Sequence, residues 1–262
     1  MPIITLTTDL GITDHYVGTI KAAILRQLPE INIVDITHQV PPFNIRHAAF
    51  ILRNCYQEFP QNTIHIIGVN SESNPNTPHL AVYANNHYFI GTESGIFSLI
   101  LDVKPDKIIE LNISQESNNI NFPTKDIFVK AACHIARGGT LELIGKTKDN
   151  FSAERATFKA TFNKNSIRGS VIHVDSYGNV ITNITEELFK QISKERNFSI
   201  HIGNRNHYVL QKIHQKYTDV ILGEAVALFI STGQLEIAIN EGSASTLMGL
   251  DLNDIIRIEF YD

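Results

Sequence analysis

Two carboxylates flank a glycine in the stretch Thr7-Thr8-Asp9-Leu10-Gly11-Ile12-Thr13-Asp14. A carboxylate held where a strand gives way to a helix can accept two hydrogen bonds from the vicinal hydroxyls of a ribose. Asp14 is equally placed to cap the helix that follows, whereas Asp9 comes too early for that. A second constellation, Asp175-Ser176-Tyr177-Gly178-Asn179, offers a carboxylate, an aromatic ring and an amide around a turn glycine. Those groups suit a ligand with an ammonium, a flat base and a hydrogen-bonding edge, although a bare hairpin turn has the same composition. The run from Ser231 to Ala244 reads as a turn, a strand and a Gly-Ser helix start with free amides. Phe43 follows Pro41-Pro42 and is offered either to a flat ring or to the core as a hydrophobic staple.

Other chemistries are absent from the sequence. It holds no phosphate-binding Walker loop, no His-Glu-x-x-His pair and no serine at nucleophile-elbow spacing. The eleven histidines are scattered, no metal site is expected, and His134 reads as a satisfied core histidine. A net charge of −5 without a dense Lys/Arg cluster argues against nucleic acid. Cys55 and Cys133 fall in predicted helices and read as buried thiols of a reducing compartment. No apolar run is long enough to span a bilayer and no signal-peptide pattern opens the chain, so the expected location is the cytoplasm.

Strands and helices must position these groups. Ile3 to Thr8 reads as a strand, and Tyr16, Ile20, Ala23, Ile24 and Leu28 recur at helical intervals. Ile31 to Ile36 is a second strand, and Asn44 caps a helix from Ile45 to Phe59. Thr63 to Val69 is a third strand, followed by a polar surface loop from Asn70 to Pro78. A hairpin turns at Asn85-Asn86, a short helix begins at Ile96, a strand covers Ile108 to Leu111, and a helix runs from about Ile127 to Arg137. Alternation of this kind implies a three-layer α/β domain with a largely parallel sheet, over 1–155. Residues 147 to 163 read as a linker or edge excursion. From Ser166 onward short strands dominate, implying a small β-barrel domain over 156–262. At 262 residues the chain is long enough for two cores.

Four motifs in order resemble the S-adenosylmethionine hydroxide adenosyltransferase family, whose relatives are the S-adenosylmethionine-dependent fluorinase and chlorinase. They are Thr7-Thr8-Asp9-Leu10-Gly11-x-x-Asp14; Val34-Asp35-Ile36-Thr37-His38-x-x-Pro41-Pro42-Phe43; Asp175-x-Tyr177-Gly178-Asn179-x-x-Thr182-Asn183; and Leu235-Glu236-Ile237-Ala238-x-Asn240-x-Gly242-Ser243-Ala244. The resemblance implies S-adenosylmethionine as substrate or ligand without a further cofactor. It also implies a homotrimer with sites at subunit interfaces. By the same resemblance Asp9 and Asp14 lie on the ribose side and Phe43 forms an aromatic wall. Asp175 accepts the methionine ammonium, and Tyr177 and Asn179 face adenine. Ser231, Asn240 and Glu241 fall where the methionine end and the base are contacted.

On the nucleophile side the resemblance implies substitution. The hydroxide enzymes use an Asp, an Arg seven positions later and a His, which fall here at Asn70, Thr77 and Pro123. The halogenases place a small residue or Ser where this chain has Thr124. Asn70 orients a water but does not take its proton near neutral pH, and Thr77 carries no charge. Three readings stand open: slow hydrolysis to adenosine and methionine, a non-catalytic binder of S-adenosylmethionine or adenosine, and use of a different nucleophile.

Overall fold

The computed structural model describes residues 2–114, 121–151, 159–203 and 208–262. The chain divides into two compact units, Met1–Ala156 and Thr157–Asp262. In the first unit, β1 (Ile3–Thr8) leads to α1 (Tyr16–Gln27), then β2 (Asn32–Thr37), α2 (Ile45–Arg53) and β3 (Ile64–Gly68). The hairpin of β4 (His79–Ala84) and β5 (His87–Thr92) follows, then α3 (Ile96–Ile100), β6 (Lys107–Leu111), α4 (Val129–Ala136) and β7 (Gly145–Thr147). The sheet order is β2-β1-β3-β5-β4-β6-β7. The pairings from β2 through β5 are parallel, while β4 and β7 run against their neighbours.

Burial explains the order. β1 lies between two parallel neighbours, and every residue from Ile4 to Thr8 is buried, so it carries β-branched residues on both faces. One face packs Ile4, Leu6 and Ile66 against Ile20 and Ile24 of α1 and Phe128, Ala131 and Ala132 at α4. The other packs Ile67, Val82 and Phe89 against α2 and α3. In α2 the buried residues are Ile45, Ala48, Ala49 and Leu52, the i, i+3, i+4, i+7 spacing of one helical face. Asn44 caps it as expected, accepting from His47 N at 3.0 Å. Helices on both faces of a mostly parallel sheet make the three layers expected.

The second unit holds β8 (Thr161–Phe162), β9 (Ser166–Val174), β10 (Val180–Thr185), α5 (Glu186–Ser193), β11 (Asn197–Ile202), β12 (Tyr208–Leu210), β13 (Ala225–Phe229), β14 (Gln234–Ile239), α6 (Ala244–Met248) and β15 (Ile255–Tyr261). Its sheet is antiparallel in the order β12-β11-β15-β9-β10-β14-β13, with β8 added to β9. The end strands β12 and β13 come back into contact, which nearly closes a barrel around Ile167, Val180, Ile200, Leu235 and Ile258.

Several elements differ from the expectation. α2 stops at Arg53, and a separate 3₁₀ turn spans Tyr56–Glu58, so Cys55 lies just past the helix. Burial still pushes both thiols up to about 11. Helical structure near Asp126 begins earlier than expected, in a π turn over Thr124–Phe128 that runs directly into α4. Helix α5 interrupts the expected run of strands, and Thr185 caps it by accepting from Leu188 N. The linker read over 147–163 lies partly outside the described residues.

A polar chain crosses the first unit near the start of its strands. Thr5 Oγ1 lies 2.8 Å from His65 Nδ1, and His65 Nε2 lies 3.2 Å from His87 Nδ1. Burial, with His87 adding, lowers the His65 pKa to about 3. The unfolded chain takes up a proton near pH 6.5 that the folded chain refuses until about pH 3. Stability contributed by neutral His65 is therefore full above pH 6.5 and is lost as pH falls through that window. Between pH 6.5 and 5 the expected loss is about 2 kcal/mol. Urea unfolding at the two pH values checks it: His65→Phe is expected to flatten the dependence, and an equal slope in the variant would exclude His65 as the source.

Candidate functional site

Three strand-end loops of the first unit meet on one carboxylate. Asp9, the residue after β1, accepts through Oδ2 from Phe43 N at 2.8 Å and from Asn70 N at 3.4 Å. Phe43 follows the Pro-Pro loop after β2, and Asn70 opens the loop after β3. Because β2, β1 and β3 are parallel neighbours, their C-terminal ends emerge on one edge, where open α/β sheets bind ligands. The prediction that Asp9 sits at a strand end is met, and its partners are two other residues singled out from the sequence.

The backbone around Asp9 is unusual. Phe43 has φ 62° and Asn70 φ 48°, both in the left-handed region. Phe43 is 72% exposed, so it is neither a core contact nor a staple. Gly11 turns at φ 68° and donates its N–H to His38 O at 2.8 Å. Asp14 is exposed and does not cap α1, whose N-cap is His15.

The strand ends are braced from below. Thr8 Oγ1 lies 2.8 Å from His38 Nδ1 and accepts from Leu10 N at 3.4 Å. His38 Nε2 faces Asp35 Oδ1 at 3.2 Å, and Lys21 Nζ of α1 reaches Asp35 Oδ2 at 2.5 Å. Burial works against the Asp35 charge, but Lys21 and His38 outweigh it and hold its pKa below the usual carboxylate value. On the far side Ser71 O, next to Asn70, receives His79 Nε2 at 2.9 Å and Thr92 Oγ1 at 3.0 Å. Burial lowers the His79 pKa, which suits a neutral ring donating from Nε2.

Thr124 is fully buried at the head of the π turn, and its Oγ1 has no hydrogen-bond partner among the described residues. It packs on Gly68 so closely that a Cβ there would lie 2.7 Å from Thr124 Cγ2 and 3.1 Å from Thr8 Cγ2. Gly68 therefore lets Thr124 approach the end of β3, two residues before Asn70. Pro123 is buried at the N-cap of the turn with helical φ −59°, a position that suits proline. Thr77 is partly exposed in the loop and donates its N–H to Asn74 Oδ1 at 3.1 Å.

The second unit builds its own turn around Asp175. Asp175 Oδ1 accepts from Tyr177 N and Asn179 N, each at 2.9 Å, and Oδ2 accepts from Asn179 Nδ2 at 3.1 Å. Gly178, at φ 80°, rests on Ser243, and a Cβ there would collide with Ser243 Oγ. Gly178 O then accepts from Ser245 N at 2.9 Å, seating the turn on the start of α6. Tyr177 is 79% exposed and Asn179 is buried. Asn240 donates through Nδ2 to Val220 O at 2.8 Å, while Ser231 and Glu241 are exposed, Glu241 at φ 54°.

Sequence reading gave no role to Tyr217, Glu236, His38 or Asp35. Tyr217 donates to buried Glu236 at 2.9 Å. Burial, then the Glu236 bond and the charges of Glu236 and Asp175, push the Tyr217 pKa up to about 12. Burial also raises Glu236, with Asp175 adding and Tyr217 opposing. The charge of Asp175 thus reaches both groups, making a negative locale that a cation would relieve. Every residue of β14 from Leu235 to Ile239 is buried, so no alternation marks Glu236, and no spacing rule links it to Tyr217.

His134 is half-buried and bonds Thr140 O at 2.9 Å. Among the described residues no three His, Cys, Asp or Glu side chains converge on a metal position, and no helix is long and apolar enough to cross a membrane.

Gly68→Ala is expected to displace Thr124 and to cost about 1–3 kcal/mol, the usual range for overpacking. Adding Thr124→Ala is expected to recover most of that loss in thermal unfolding. Equal destabilisation in the single and double variants would count against the contact.

Comparison with known proteins agrees along the whole chain. Residues 4–145 match the SAM hydroxide adenosyltransferase N-terminal domain, and residues 169–257 match its C-terminal domain. An (R)-S-adenosyl-L-methionine hydrolase of Methanocaldococcus jannaschii is 27% identical, covering 98% of this chain and 96% of the relative. A protein of the same name from Thermus thermophilus is 26% identical over 96% and 97%. The crystal structure of an uncharacterized conserved protein from Thermotoga maritima superposes with a TM-score of 0.87 at 28% identity, covering 98% and 99%.

Proposed function

This chain belongs to the SAM hydroxide adenosyltransferase family, and we propose on that premise that it binds S-adenosylmethionine and hydrolyses it to adenosine and methionine. The observation that supports this most is the meeting of Asp9, Phe43 and Asn70 at one sheet edge. Both backbone bonds go to Asp9 Oδ2, so Oδ1 keeps its acceptor capacity for the ribose hydroxyls. Exposed Phe43 walls the nucleoside, and Asp14 stands beside the same loop. In the second unit Asp175 keeps lone-pair capacity for the methionine ammonium, with Glu236 adding negative potential. Tyr177 stacks on adenine and Asn179 reads its edge, while Ser231, Asn240 and Glu241 serve the methionine end and the base.

Chemically the demand on the protein is modest. Water oxygen attacks the ribose C5′, the C5′–S bond breaks, and its electron pair goes to sulfur, releasing methionine as a neutral thioether. The water proton passes to solvent. Because the sulfonium is already a good leaving group, the protein chiefly excludes bulk water and aligns one water behind C5′. We assign that alignment to Asn70 and to Thr124, whose buried and unpartnered hydroxyl is the kind of group an ordered water satisfies. With Asn70, Thr77 and Pro123 at the positions of a water-activating triad, no general base is supplied there. The missing base is worth roughly 10²–10⁴-fold in rate.

That substitution also favours a second reading, a binder of S-adenosylmethionine or adenosine without turnover. Chromatography of purified protein incubated with S-adenosylmethionine separates the two. Slow adenosine release is the expected result, and ligand retained unchanged would favour the binder. Asn70→Asp, Thr77→Arg and Pro123→His together are expected to raise the rate with little change in affinity. Asp9→Ala is expected to abolish nucleoside binding by removing charge-assisted hydrogen bonds of about 1.5–3 kcal/mol each. Unchanged affinity in calorimetry of the folded variant would remove Asp9 from the site.

We further propose a homotrimer in which the first unit of one subunit and the second unit of its neighbour each supply half of the contacts. A closed ring lets a motif on one rim serve the next subunit. Sedimentation is expected to give a trimer, and a stable monomer that binds ligand tightly would overturn the assembly.

A further inference from the structure

We infer that His38 is a positioning residue for the ribose carboxylate, acting through the hydroxyl of Thr8. The inference rests on the reading of Asp9 as the nucleoside acceptor. Neither His38 nor Thr8 is placed to meet a ligand, since His38 is 5% exposed and Thr8 0%. Their role must be exerted on the loop between them.

One placement of the protons satisfies the contacts at Thr8. Leu10 N donates to Thr8 Oγ1, so the hydroxyl is an acceptor there and has its own proton to give. Its partner at 2.8 Å is His38 Nδ1, and giving the hydroxyl proton to Nδ1 satisfies it, with the ring proton then on Nε2. Nε2 lies 3.2 Å from Asp35 Oδ1, close enough for charge attraction though outside hydrogen-bond geometry, and Lys21 Nζ fixes the other carboxylate oxygen at 2.5 Å. A line of polar contacts thus runs from α1 through β2 to the last residue of β1, with the Thr8–His38 hydrogen bond at its end.

The backbone doubles this link. His38 O accepts from Gly11 N at 2.8 Å, and Thr8 O accepts from Val40 N at 3.4 Å. Asp9 and Leu10 therefore lie inside a stretch pinned at Thr8 and at Gly11, and both pins are His38. The same strap continues to Phe43, whose N–H meets Asp9. A carboxylate that must meet two hydroxyls at once gains from such a fixed frame, because geometry lost by about 1 Å forfeits much of the interaction.

The test is a double-mutant cycle on adenosine affinity, measured by calorimetry on protein shown by circular dichroism to be folded. Thr8→Val keeps the shape and removes the hydroxyl, and His38→Leu removes the ring nitrogens. Each is expected to weaken adenosine binding about tenfold. The pair together should weaken it no further, since both break one chain. His38→Asn, which restores an acceptor near the Nδ1 position, is expected to return affinity to within about threefold of wild type. Thr8→Val keeps the cycle informative if His38→Leu fails to fold, because loss of affinity in that variant at unchanged melting temperature is not a general packing effect. Adenosine affinity unchanged in folded Thr8→Val would overturn the inference while leaving the reading of Asp9 intact. Additive losses would also overturn it. A wild-type protein that binds no adenosine would remove the underlying reading and the inference with it.

Discussion

One carboxylate oxygen, Asp9 Oδ2, organises the first unit's site. Parallel neighbours β2, β1 and β3 deliver three loops to the same edge; the β1 loop brings Asp9, and the other two each bring a backbone N–H that has left the sheet ladder. Such donors need acceptors wherever water is excluded. Asp9 supplies one for Phe43 and one for Asn70, so the residue assigned to the ligand also holds the loops that surround it. Removing it therefore acts on the proposed recognition and on loop geometry together.

The second unit repeats the device in a different fold. Asp175 closes its own turn by accepting from Tyr177, Asn179 and the Asn179 side chain, and Gly178 lets that turn sit on Ser243. In both units an aspartate satisfies nearby backbone donors and still has lone pairs to spare. An exposed aromatic stands beside each, Phe43 in one and Tyr177 in the other. The aromatic faces stay available because the aspartate, not the ring, does the local packing.

Much of this was legible in residue order. Alternation of β-rich runs with helical spacing identified the layered unit, and Asn44 announced α2 through an ordinary cap. The strand-end positions of Asp9 and Asn70 followed from where β-branched runs stopped. What escaped had identifiable causes. α5 carries Thr185 as a cap and Glu186-Glu187 in its first turn, yet it is short and enclosed by strands, so the surrounding period of two hid it. The π turn at Thr124–Phe128 has no residue signature, and Thr124 at its head packs on Gly68, a contact far away in sequence. The Thr8–His38–Asp35 chain depends on the β1–β2 register, which spacing within a single strand does not encode.

The left-handed backbone at Phe43 has an evolutionary meaning. A phenylalanine at φ 62° sits where its Cβ is crowded, at a cost of order 1–3 kcal/mol that glycine or asparagine would escape. Its ring recovers nothing from the core, being mostly exposed. Heat tolerance and the proposed recognition therefore pull this position in opposite directions: a laboratory lineage propagated only for thermal resistance is expected to drift toward glycine or asparagine there, folding better while losing the ring proposed to wall the nucleoside. Thermostabilised variants of this scaffold are best built with position 43 held fixed.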